Sequence, residues 1–356
     1  MDLNWSEEQA ELRATLRRLL TKARQTGATT WPTLASTGLL GLGVAESLEG
    51  SGAGLVEEQI LFEEAGRALV GEPLYSTIAL VLPLLVASDD AEQLVPAVVS
   101  GQRKYCLAWS LGDTYALQPE AVGAGLVTER VDGALVITGT RRLVPDLSTS
   151  DTALVLDRDA GAHLVDLTSP GVVRVDRRAV DASRPLGDLF LDRAPATPLA
   201  GTGSAVSSMM RRGIVLAAAE MIGLAEAVLE MMQEHAGTRT QFGRPIGTFQ
   251  AVAHPIANVY ADIELARSLS ILVALTLDDA GSDGAEIAAL AVSAGALGLS
   301  ACETAIQVHG GMGMTWESPL HRYYKRARYL RTLMGPPEAH RRHIAEQRMR
   351  VRSAAD

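Results

Sequence analysis

Arg239 and the pair Gly310-Gly311 are the residues whose types and positions first suggest chemistry. A guanidinium grips phosphate oxygens through a fixed fork of N–H donors, and glycine lets backbone N–H groups come close to a ligand. An arginine just after one long helical pattern and a Gly-Gly pair just after another are the groups that would hold a phosphate-bearing cofactor. The competing reading is structural, with Arg239 a cation at the negative end of a helix dipole and Gly310-Gly311 a helix stop. On spacing alone the structural reading is the stronger. Glu338 and His340 follow Pro336-Pro337 at a helix start, where the dipole alone favours a carboxylate. His309 and His321 read as packing or interface residues.

The elements that must position these groups follow from hydrophobic periodicity. From Ala251 to Leu277, Val252, Ile256, Val259, Ile263 and Leu265 recur at helical intervals, and from Ala285 to Val308 the pattern is small and apolar. Both read as the centre of a helical bundle that begins near Thr202, with Gly213 to Gln233 its first helix. Upstream, the capping-box pair Ser6 and Gln9 predicts a helix over Glu7 to Ala23. Leu55–Leu69, Ser76–Leu85 and Ala91–Val99 are further helical runs. Period-2 or β-branched runs occupy Lys104–Trp109, Gly125–Arg130, Ala134–Thr138, Thr152–Leu156, Ala162–Leu167 and Val172–Val175. The expected class is α+β, with an N-terminal helical domain (1–102), a small central β domain (103–198) and a C-terminal four-helix bundle (199–356).

The 356 residues are 47% hydrophobic and 21% charged, ordinary for a globular protein. A formal net charge of -10 argues against nucleic acid as partner, which wants a basic surface. Cys106 and Cys302 have no Cys or His at ligand spacing, so neither a disulfide framework nor a metal site is expected, and a reducing cytoplasm fits. The start Met1-Asp2-Leu3-Asn4 carries acid where a signal peptide carries base. No apolar run is expected to reach the ~20 residues of a membrane span, and the longest candidate, Ile78–Ala87, contains Pro83.

Two ordered motifs change the balance at Arg239. Arg-x-x-Phe-Gly-x-x-Ile-x-x-Phe-Gln (Arg239 to Gln250) and Gln-x-x-Gly-Gly-x-Gly-x-x-x-Glu-x-Pro-Leu-x-Arg-Tyr-Tyr (Gln307 to Tyr324) resemble the C-terminal domain of the acyl-CoA dehydrogenase family. The helix–β–helix order resembles that family's fold. The resemblance implies FAD shared across a subunit interface, its ring held by the β domain of one subunit and its adenosine end by the bundle of the neighbour. On the adenosine side Arg239, Phe242, Gln250, Gln307, Gly310 and Gly311 stand at the family's positions. On the ring side the family's Thr-Glu is replaced by Trp109-Ser110, and its Trp-Ile-Thr by Leu143-Val144-Pro145, where proline has neither hydroxyl nor N–H to donate.

The family's reaction needs a carboxylate to take the proton α to the thioester. The two places where the family keeps that glutamate hold Met334 and Gly213 here, and neither accepts a proton. Glu220 is the fallback, seven residues beyond Gly213 on nearly the same helix face but about 10 Å further along; a structural pairing is the favoured reading of it. Glu317 matches a family motif glutamate that is not the base. The resemblance is to the non-catalytic subunit of heteromeric (α2β2) steroid side-chain acyl-CoA dehydrogenases of actinobacteria. It implies a homologous catalytic partner that binds most of the acyl-CoA and supplies the base. The alternatives are a homo-oligomeric flavoenzyme using Glu220 and a flavin-free structural paralogue.

Overall fold

The computed structural model describes residues 5–26, 29–110, 125–157, 161–203, 205–277 and 284–355; the acidic start at 1–4 lies outside them. In chain order the helices are α1 (Glu7–Thr26), α2 (Trp31–Ser36), α3 (Leu55–Ala68), α4 (Leu82–Ala87), α5 (Ala91–Val99), α6 (Ala205–Thr238), α7 (Gln250–Thr276), α8 (Ala285–His309), α9 (Leu320–Leu333) and α10 (Pro337–Ala355). Among the described residues, all strands but one short hairpin fall between α5 and α6. This is the helix–β–helix order expected from periodicity. Packing groups the chain into two compact units: residues 1–25, 59–70 and 217–356, and residues 26–58 and 71–216.

The second unit contains two four-stranded sheets. One has the order β1-β4-β5-β8, from Tyr105–Leu107, Thr152–Leu156, Ala162–Asp166 and Thr197–Leu199; β1 and β4 run parallel and the other neighbours antiparallel. The other is antiparallel, β2-β3-β7-β6, from Val127–Val131, Ala134–Pro145, Leu186–Pro195 and Val172–Arg177. Ile137, Val144, Leu154, Val155, Val165 and Leu189 are fully buried. Strand β7 escapes the sequence reading because Gly187-Asp188 looks like a turn. The buried Asp188 carboxylate instead accepts the Leu143 N–H (3.0 Å) and the Arg177 guanidinium (2.7 Å), which hold its pKa below the usual carboxylate range. The helix expected over Ser76–Leu85 begins as a buried π-helical stretch, Tyr75–Val81, before α4. Pro83 has no N–H for the α-helical ladder there, and Thr77 Oγ1 both donates to the Tyr105 carbonyl and accepts its N–H.

In the other unit α8 is central, packed against α7, α9 and α10. Ala285–Met314 is the one helical stretch among the described residues long and apolar enough to span a membrane, contrary to the expectation from sequence. Its apolar length is spent on its neighbours, since 61% of its most apolar window is buried. Small residues allow close packing: a Cβ at Gly298 would lie 1.9 Å from Met221 Sδ. Helices α3 and α6 cross backbone to backbone, because a Cβ at Gly66 would lie 2.0 Å from the Glu220 carbonyl oxygen and one at Gly223 would lie 1.8 Å from that of Glu63. Gly223→Ala is therefore expected to destabilise by about 1–3 kcal/mol or more, since neither backbone can yield. Gly237→Ala, on the same helix with nothing within 4 Å, is expected to be neutral or stabilising by up to ~1 kcal/mol. Urea midpoints of the two variants check this; equal midpoints would contradict the close crossing.

Candidate functional site

Helix α6 ends at Thr238, and the chain turns at once through a short hairpin in which Thr240–Gln241 pairs with Arg244–Pro245. The two loop residues, Phe242 (φ +52°) and Gly243 (φ +79°), both have positive φ, as a tight two-residue hairpin turn requires. Glycine accepts that conformation freely, but for a bulky residue it is strained. The result is a phenyl ring 91% exposed, in edge contact with Phe249. The Arg239 carbonyl accepts the Ile246 N–H at 2.8 Å, closing the base of the hairpin. Arg239 and Gln250, at its two ends, are exposed, and neither side chain has a hydrogen bond or ion pair among the described residues.

Helix α8 stops at Gly310, whose φ of +60° and ψ of -137° suit glycine. The helix stop read from the sequence is therefore present, and it does not compete with a ligand role: Gln307, Gly310 and Gly311 are exposed, and a Cβ at either glycine would meet open space. The Gln307 side chain has no partner among the described residues. The ends of α6 and α8 meet through His235 and His309, whose rings stack with centroids 4.3 Å apart. Beside them opens a cavity of about 470 Å³ lined in part by Met231, Thr238, Met312 and Glu317. The His235–His309 contact is the feature that sequence reading missed. Its only signal was a histidine one turn before Arg239 and another just before Gly310.

The positions expected on the ring side are occupied internally. Ser110 Oγ accepts the Arg142 N–H at 3.1 Å, and the Leu143 N–H goes to Asp188. Pro145 is paired within the sheet opposite Leu186. These polar groups are engaged within the β unit, whereas the side chains of Arg239, Gln250 and Gln307 have no hydrogen-bond or ion-pair partner among the described residues. An exposed guanidinium, two exposed amides and an unobstructed Gly-Gly backbone are groups whose chemistry suits a phosphate-bearing cofactor.

Neither place for a base offers a carboxylate of its own. Met334 is buried after α9, and its carbonyl accepts from His340 Nε2 at 2.7 Å; burial lowers the His340 pKa. Gly213 follows Arg212, whose guanidinium is ion-paired with the buried Glu58. Burial pushes the Glu58 pKa up, and the arginine opposes it. Glu220 is fully buried and bonded to Arg326 Nη1 at 2.6 Å, the structural pairing favoured from sequence. His321 is fixed by Nδ1 on the Ser318 carbonyl and packs edge-on against Trp316, and Glu338 is exposed.

Residues 6–102 match the acyl-CoA dehydrogenase N-terminal domain and residues 200–349 the acyl-CoA dehydrogenase C-terminal domain. Among curated relatives, FadE34 of Mycobacterium tuberculosis is 32% identical over 306 residues, covering 85% of this chain but only 39% of that longer protein. IpdE2 of the same organism is 32% identical over 307 residues, covering 84% of this chain and 80% of its own length. Among solved structures, a variant of the Tcur3481-Tcur3483 steroid ACAD superimposes with a TM-score of 0.85 at 26% identity, covering 98% of this chain and 99% of that one. Two domain models covering more than half of its length, with relatives this similar along most of the rest, mean that the chain belongs to the acyl-CoA dehydrogenase family.

Proposed function

We propose that this chain is the non-catalytic subunit of a heteromeric FAD-dependent acyl-CoA dehydrogenase. Its three segments, 1–102, 103–198 and 199–356, form a family-type subunit that completes the FAD site of a homologous partner in an α2β2 assembly. The family binds FAD, which when bound supplies the hydride acceptor for α,β-desaturation of an acyl-CoA thioester. In this reading Arg239 holds the phosphate end by charge-assisted hydrogen bonds. The exposed Gly310-Gly311 backbone, with no side chain in the way, approaches the same end, Phe242 covers it from solvent, and Gln250 and Gln307 orient it. The acyl-CoA lies mainly on the partner, which supplies the base. A steroid side chain is the substrate class favoured by similarity to the two-component Tcur3481-Tcur3483 steroid ACAD. The assembly works in the cytoplasm.

The observation that carries this reading is the contrast between the two halves. The side chains of Arg239, Gln250 and Gln307 have no hydrogen-bond or ion-pair partner among the described residues, whereas Ser110 and the Leu143 N–H are engaged within the β unit. The test is to purify the chain alone and after co-expression with a homologous catalytic subunit encoded beside it. Flavin colour is expected only in the co-expressed complex. Colour in the chain alone would favour a self-sufficient flavoenzyme, and no colour in either preparation would favour a flavin-free paralogue.

A further inference from the structure

The geometry points to His235 and His309 as positioning residues, a ring-on-ring latch that holds Arg239 and Gly310-Gly311 in one cofactor-binding arrangement. This rests on the cofactor reading above. The rings are inclined by 22°, a stacked contact between the last turns of two different helices. On α6, the His235 carbonyl accepts the Arg239 N–H at 2.9 Å, so the imidazole and the guanidinium share one helical turn. On α8, His309 directly precedes Gly310, and its Nδ1 donates to the Ala305 carbonyl at 2.8 Å, which fixes the ring against its own helix. Displacing either ring thus moves one end of the cradle relative to the other.

The surroundings make the rings the connecting element. The cavity of about 470 Å³ flanks them, so the last turn of α6 is not backed by filled core on that side. The charged and titratable groups around His235 are Glu234 on its own helix, Arg239 just past the helix end, His309 opposite and Glu317 across the cavity. Burial, then His309 and Arg239, lower the pKa of His235, which favours the uncharged ring in the stack. Contact between ring faces, and not an ion pair or a shared proton, is what the latch uses.

Flavin release from the assembled complex tests this, with thermal midpoints recorded to confirm that each variant is folded. His235→Ala and His309→Ala are each expected to speed release about 2- to 10-fold, the range of an aromatic pair. The double variant is expected to be no faster than the worse single one, because both remove the same contact. His235→Phe keeps a ring face without a titratable nitrogen and is expected to restore wild-type release. Additive single effects, or a His235→Phe variant as fast as His235→Ala, would overturn the latch. Arg239→Ala measured in parallel separates the two levels. If it speeds release while His235→Ala does not, the latch alone fails; if neither changes release, the cofactor reading fails with it.

Discussion

Arg326→Met is expected to lower the unfolding free energy of the chain by about 3–5 kcal/mol, because it leaves the fully buried Glu220 carboxylate without its cation. Arg326 on α9 donates through Nη1 both to Glu220 Oε1 at 2.6 Å and to the Val70 carbonyl at 3.0 Å, so one guanidinium satisfies groups from two other segments. Burying a charge is costly unless it is paired, and removing one partner exposes that cost in full. The double variant E220L/R326M replaces the pair by apolar side chains of similar length, and it is expected to recover most of the loss or exceed wild type. Urea titration with an unchanged m-value is the measurement. A single Arg326→Met variant within about 0.5 kcal/mol of wild type would mean that Glu220 is not held as a buried ion pair. The same double variant decides catalysis without the burden of a stranded charge. Assembled with its partner, it is expected to turn over acyl-CoA almost normally. A drop of ~10²-fold or more with flavin and assembly intact would make Glu220 the base and end the non-catalytic reading.

Arg239→Ala should weaken flavin retention by the assembled complex about 10- to 150-fold, the equivalent of about 1.5–3 kcal/mol for a hydrogen bond to a charged group. The guanidinium is exposed and has no partner among the described residues, so its removal should leave the thermal midpoint nearly unchanged. That separation of cofactor loss from stability marks a ligand contact. Arg239→Lys should rescue only in part, because an ammonium is a point charge without the planar fork. Unchanged flavin content and release in the alanine variant would show that the family's arginine role does not carry over to this position.

Much of the fold was legible in the sequence because periodicity is a local property. The bounds of β4 (Thr152–Leu156) coincide with the run that predicts it, and α8 ends one residue beyond its pattern at His309. The residues of the cofactor reading, Arg239 to Gln250 and Gln307 to Gly311, came from the resemblance of two contiguous motifs to a family, since spacing alone favoured a helix-end role for Arg239 and Gly310-Gly311. Strand β7 was not legible, since Gly187-Asp188 carries a turn signal that is cancelled only when Arg177, Arg142 and the Leu143 N–H surround the Asp188 carboxylate. Nor could sequence assign Glu220 its partner, because Arg326 lies 106 positions away. The pairing of His235 with His309 likewise depends on two helix ends meeting. Sequence determined most of the helical and strand segments and which side chains can carry a charge, because propensity and periodicity act over a few residues. Tertiary packing alone decided which of those charges are satisfied inside the chain and which are left exposed, because hydrogen-bond partners and desolvation are set by neighbours distant in sequence.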